Sequence, residues 1–170
     1  MVMLTARVAF ALVASLVEQA QVPSIIVERG PCLGECPIYR FKVTAAGEGV
    51  FEGRRFTDVH GEQSFSITAK EWLAFQSALA PYRPQGTEDI TTGHPRCTQM
   101  VTDHPSVSVT WIDASRTDQL TFNFGCKDPL NDAMAQALAD APDLLPVGKL
   151  IEDRRLEDGA WERQPFGLPK

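Results

Sequence analysis

Apolar and polar residues alternate in several short runs along the chain. Tyr39, Phe41 and Val43 interleave with Arg40, Lys42 and Thr44, and this period of two predicts a half-buried strand over 38–44. Residues 24–28 (SIIVE) read as a short strand ahead of it. Residues 46–49 supply a turn, with glycine free to take positive φ, and 50–57 returns as the second arm of a hairpin. Residues 61–67 read as the next strand. Further on, Val107, Val109 and Trp111 alternate with Ser106, Ser108 and Thr110. After a turn at 113–116, Leu120, Phe122 and Phe124 alternate with Thr121 and Asn123 in a strand that pairs back.

Two segments switch to the helical period. Thr68 and Glu71 form a T-x-x-E capping box. Trp72, Phe75 and Leu79 follow at helical spacing, so 69–80 is predicted as an amphipathic helix that Pro81 and Pro84 close. Asp128 as N-cap and Pro129 at the first helical position open a second helix. Its apolar positions are Leu130, Met134, Leu138 and Ala141, and Pro142 ends it. Residues 144–151 are expected to pack as a short helical turn. Between the helices, 83–105 carries Pro84, Gly86, Gly93, Pro95 and Pro105 and reads as a long loop, of the kind that is functional, stapled or mobile.

Strands, a helix, two strands and a helix, in that order, predict an α+β fold: an antiparallel β-sheet with two main helices packed on one face. We place it in a single domain over 23–151. Beyond Ile151 the pattern dissolves, with eight charges between Glu152 and Arg163, and 152–170 is expected to be a flexible polar tail.

Composition narrows the function. The 170 residues carry 16 Lys+Arg against 22 Asp+Glu, a net charge of −6. That balance argues against a nucleic-acid binder, whose footprint is a basic stripe. No apolar run reaches the roughly 20 residues of a membrane span. At the N-terminus, Arg7 is the only charge before Glu18, and Val8 to Val17 is apolar except for Ser15. That resembles a secretory signal peptide over 1–22. Glu18 spoils a cleavage site after Ala20, and an uncleaved first helix is the alternative. Export to the periplasm or medium is the expectation; an uncleaved segment would leave the chain cytoplasmic.

The four cysteines, Cys32, Cys36, Cys97 and Cys126, make an even count in a short chain with an export signal, which suggests two disulfides. Of the three pairings, Cys32–Cys36 with Cys97–Cys126 is favoured.

Around the first pair, Gly30-Pro31-Cys32-Leu33-Gly34-Glu35-Cys36-Pro37-Ile38-Tyr39 resembles the G-P-C-x-G-x-C-P-x-Y signature of a family of small bacterial domains of unknown function. The hairpin at 47–53, Phe51 to Phe56, the A-P-Y-R-P segment at 80–84, the later cysteine pair and the A-P-x-L-L-P run at 141–146 extend the resemblance over 24–151. The resemblance implies an exported or lipid-anchored protein in which Cys32 pairs with Cys36. It supplies no activity and no catalytic residue. No cysteine follows the N-terminal apolar block, so lipid anchoring has no support here.

Candidate chemistry is sparse. Cys32 and Cys36 have three intervening residues and a strand pattern after them, where dithiol redox sites use two residues and a helix N-terminus. Zinc sites accept such a knuckle, but Cys97 and Cys126 lack close partners apart from His94. His60, His94 and His104 sit in loops with no metal-ligand spacing. Asp89, Asp103 and Asp113 are available to join His94 or His104 and a serine, which only geometry decides. There is no G-x-S-x-G elbow and no phosphate loop. Arg40, Lys42, Arg54 and Arg55 on the hairpin form a basic patch on an acidic chain.

These observations favour a non-enzymatic, exported binding or structural domain held by two disulfides. No cofactor and no metal are expected. Tyr39, Arg40, Arg54, Arg55 and His94 make up the candidate binding surface, for a protein or small-molecule partner. A metal-binding or hydrolytic protein using the His94/Cys97 region is one alternative. An inhibitor or accessory partner of a cell-envelope enzyme is another.

Overall fold

The computed structural model describes residues 21–151. The tail expected over 152–170, and all but the last two residues of the leader expected over 1–22, lie outside the described residues.

Seven strands form one sheet. They are β1 (Ser24–Arg29), β2 (Ile38–Thr44), β3 (Glu48–Arg55), β4 (Gly61–Ser66), β5 (Thr87–Ile90), β7 (Ser106–Ile112) and β8 (Thr117–Asn123), in the order β4-β3-β2-β1-β7-β8-β5. A two-residue pair, β6 (Gln99–Met100) with β9 (Cys126–Lys127), stands apart. The helices are α1 (Ala69–Leu79), α2 (Asp132–Asp140) and the single turn α3 (Gly148–Ile151).

The alternation expected from sequence sets the sheet's two faces. Ile25 and Val27, Tyr39, Phe41 and Val43, Phe51, Val107, Val109 and Trp111, and Leu120 and Phe122 are buried in one core with Trp72, Phe75 and Leu79 of α1 and Met134 and Leu138 of α2. The Phe41 and Phe75 ring centroids lie 5.9 Å apart across this contact. Both main helices therefore cover one face, as expected. The other face carries Glu28, Arg40, Glu52, Ser108 and Thr121 in one cross-strand row and, among the described residues, has no helix on it.

The capping box forms in full: Thr68 Oγ1 accepts from Glu71 N, and Glu71 Oε2 accepts from Thr68 N. Phe65 of β4 lies across the bare backbone of Gly49, its cross-strand partner. The ring thus covers the gap a missing side chain leaves in a strand.

Three expectations need correction. The sheet is mixed, because β5 pairs with β8 in parallel. The connection through α1 carries the chain from the β4 edge to the opposite edge, where β5 starts at the same end as β8. Secondly, 83–105 is not one long loop, since it holds β5 and β6. Thr87-Glu88-Asp89-Ile90 buries only Ile90, so its strand character comes from pairing with β8 and leaves no alternation to read. Thirdly, Leu130 is 78% exposed. Asp128 and Pro129 open a 3₁₀ turn over Pro129–Asn131, and its tighter winding puts Leu130 out of phase with Met134 and Leu138.

Strand direction sorts the loops. Arg29, Tyr39 and Val107 are aligned at one end of the sheet, as are Gly53 with Gly61 and Ile90 with Phe122. The connections 30–37, 56–60, 91–105 and 124–128 all leave from that end, which holds both disulfides and all three histidines. The opposite end holds the 113–116 turn, tied down by Arg83. Its guanidinium meets Asp118 at 2.5 Å and Asp113 at 2.8 Å, and Gly86 N donates to Asp118 at 2.8 Å.

Candidate functional site at the disulfide end of the sheet

The connection from β1 to β2 is a small ring closed by the Cys32–Cys36 disulfide, with Cα atoms 5.7 Å apart. Gly34 takes φ 130° inside the ring, a conformation that favours glycine. Leu33 stands at the tip, 79% exposed. The base of the ring is fixed. Gly30 N donates to Ser106 O at 2.9 Å, and the buried Arg29 guanidinium sits 4.8 Å from the Phe124 ring centroid. A tied loop on a packed base loses little freedom when it docks, which lowers the cost of binding.

The second disulfide, Cys97–Cys126, holds the segment after β5 against the segment after β8, with Cα atoms 4.7 Å apart. Cys126 is buried at 3% exposure. Thr98 Oγ1 donates to Lys127 O alongside it. Gly125 is forced by contact, because a Cβ there would lie 2.0 Å from Val101 O. Both bridges are those the sequence favoured.

Next to this bridge, Glu88, His94, Arg96 and Asn131 form a polar cluster. Arg96 Nε donates to Asn131 Oδ1 at 3.2 Å, and Asn131 Nδ2 donates to Arg96 O at 2.6 Å. Arg96 NH1 lies 3.5 Å from Glu88 Oε1, and His94 Nε2 lies 3.7 Å from the same oxygen. His94 Nδ1 accepts from Arg96 N at 3.1 Å, so the neutral ring carries its proton on Nε2. A histidine facing a carboxylate is a general-base arrangement in outline. Here Arg96 shares the carboxylate, and Cys97 is oxidised, so it offers neither a thiolate nucleophile nor a thiolate ligand.

The other candidate residues are dispersed. Asp113 lies at the far end of the sheet from His94 and His104, committed to Arg83 and to its own turn. It cannot complete a triad with either histidine. His104 is partly buried; desolvation, with help from the nearby Lys127 charge, lowers its pKa below the usual histidine value. Among the described residues, no group of three or more His, Cys, Asp or Glu is placed to hold a metal ion.

The hairpin surface also divides. Arg40 and Arg54 share the open face of the sheet, but Arg54 bonds Glu28 at 2.8 Å and Glu52 at 3.1 Å. Glu52 is held below the usual carboxylate range, chiefly by its bond to Arg54. The row Glu52-Arg40-Glu28 alternates in sign across three strands, so the expected basic patch is charge-balanced. Arg55 stacks on Phe56 at 5.0 Å, and Phe56 takes the left-handed φ of 54° as the chain leaves β3. Tyr39 faces the helices at 3% exposure, with its ring centroid 6.2 Å from that of Phe41. It belongs to the core and not to the candidate surface, because its odd position in β2 puts it on the covered face.

Sequence reading missed Arg29, Leu33, Glu88, Arg96 and Asn131. Arg96 and Asn131 are 35 residues apart, and Glu88 was hidden in an apparent loop. The glycines flanking Cys32 were the one legible signal for Leu33, since they promise a tip with nothing packed on it.

No helix among the described residues is long and apolar enough to cross a membrane. No curated protein and no solved structure matches the chain. The family resemblance rests on firmer ground: residues 23–143 match the model described as Domain of unknown function (DUF6438), a span well over half of the chain, and the chain belongs to that family.

Proposed function

We propose that the domain is an exported binding module that presents the disulfide end of its sheet, Leu33 foremost, to a protein of the cell envelope. One observation carries this reading. A large apolar side chain is held 79% exposed at the tip of a covalently closed ring, where burying it on folding would have been favourable by about 1.5–3 kcal/mol. An exposed apolar anchor on a pre-organised loop has the form of an interface hot spot. The two disulfides support export, because such bridges persist in oxidising compartments.

The metal or hydrolytic reading draws on His94 and Glu88. It is the weaker of the two, because the Arg96 cation sits on the same carboxylate oxygen as the imidazole and opposes a second cation there.

The test is site-specific photo-crosslinking in the producing cell. A photoreactive residue at position 33 is expected to give a discrete protein adduct. One at Leu73, exposed on α1, is expected to give none, and Glu35→Ala at the same tip gives a graded control. No adduct from position 33, or equal labelling from 33 and 73, would refute the proposal.

A further inference from the structure

We propose that β4 is a strand-addition edge for a second copy of this chain, paired antiparallel about Ser64. Among the described residues β4 ends the sheet, and five of its six residues are exposed, Phe65 alone being half-covered. Edge strands are ordinarily blunted by lysine, proline, a bulge or extreme shortness. β4 (GEQSFS) has no lysine or proline, carries Glu62 as its one charge, and pairs with β3 without a register shift over all six residues. The opposite edge contrasts: β5 is four residues long, carries Glu88 and Asp89, and runs into the segment tied by Cys97.

The direction of the free backbone groups follows from the ladder. Ile67 N donates to Gly47 O, one step beyond the Glu48–Ser66 pair. In an antiparallel pair the bonded positions alternate. Gly61, Gln63 and Phe65 therefore aim their N–H and C=O groups at β3, and Glu62, Ser64 and Ser66 aim theirs outward.

Water satisfies such a row in the monomer and another strand can replace it, and a second β4 does so with a favourable pattern of side chains. Centred on Ser64, the antiparallel register sets Ser64 opposite Ser64 of the second copy and Glu62 opposite Ser66. All six outward groups on each copy pair, and no like charges face each other, which is the arrangement that costs nothing across strands. On the other face Phe65 lies opposite Gln63. A register shifted by one step sets Glu62 opposite Ser64 and leaves Ser66 opposite residue 60, beyond the strand, and a further step opposes the two Glu62 carboxylates, so the number of paired backbone groups, and then charge, favour the full-length pairing. The contact is narrow, and association belongs to the weak, concentration-dependent class.

The mature protein is tested by sedimentation velocity over a concentration series, with Ser64→Pro, Ser64→Lys and Gln63→Pro. The Ser64 N–H points outward, so proline there removes no bond to β3, which is the condition under which an edge strand tolerates it. The expected result is a monomer–dimer equilibrium that both Ser64 variants abolish with their melting temperatures near wild type. Gln63→Pro, which removes a bond to β3, lowers the melting temperature. A monomer at every concentration overturns the proposal, as does a dimer unchanged in Ser64→Lys. Equal destabilisation by Ser64→Pro and Gln63→Pro overturns the outward assignment, and the proposal with it.

Discussion

The two bridges differ in what they do for the fold, and the difference can be measured. Cys97 and Cys126 are 29 apart in sequence, and Cys32 and Cys36 are 4 apart. On the chain-entropy model, closing a loop of about 30 residues restricts the unfolded chain by roughly 3.6 kcal/mol at 25 °C, and a loop of about 5 by roughly 2 kcal/mol. Cys126 is also 3% exposed inside the core, so its removal adds a small packing loss, whereas the first ring borders solvent. The perturbation is the double substitution Cys97→Ala/Cys126→Ala against Cys32→Ala/Cys36→Ala. Urea unfolding at neutral pH reads the midpoint and slope of each. The 97/126 variant is expected to lose at least about 3.5 kcal/mol and the 32/36 variant about 2 kcal/mol. For a domain of this size those losses correspond to falls in Tm of roughly 10–20 °C and 5–10 °C. If the short-ring variant were the less stable of the two, loop length would not be the controlling quantity. The Cys32–Cys36 ring would then be holding packed structure as well as a tip.

Gly53→Ala is expected to cost about 3 kcal/mol or more by thermal melting, because its Cβ would lie 1.7 Å from Val59 O and 2.6 Å from Thr57 Oγ1. Acid titration followed by circular dichroism is expected to show stability easing below about pH 6.5, where His104 of the unfolded chain takes up a proton before the folded one does, and falling further below about pH 4. The carboxyl of Asp113 is held low mainly by its bond to Arg83, and that of Asp118 mainly by the Gly86 N–H. Groups depressed in the folded state lend stability above their unfolded value and lose it as pH falls through the folded one, so Asp113→Asn should flatten the acid limb. Intact mass of natively produced protein, before and after reduction, is expected to show loss of about the first twenty residues and a gain of four hydrogens; a full-length chain with free thiols would refute export.

Much of the fold was legible because the sheet has one covered and one open face. A half-buried strand must alternate, and β2, β7 and β8 did so in residues such as Phe41, Val109 and Phe122. The α1 start was legible because Thr68 and Glu71 satisfy each other's backbone within one turn, a local event that needs nothing distant. The cysteine count suggested two disulfides with three possible pairings; the favoured pairing, whose Cys32–Cys36 bridge the family resemblance also implied, is the one that forms. The site was far less legible. The cluster of Glu88, His94, Arg96 and Asn131 spans 44 positions of sequence, and Arg54 finds Glu28 across an intervening strand.

The sequence by itself determined what depends on near neighbours: the periods of strands and helices, the capped start of α1 and the even cysteine count that suggests two disulfides. Tertiary structure decided what depends on placement. It made β5 a parallel edge strand, because only the β8 backbone beside it supplies its bonds. It balanced the basic hairpin with Glu28 and Glu52. It also gathered both disulfides at one end of the sheet, since strand direction, which no local pattern records, decides where each loop leaves.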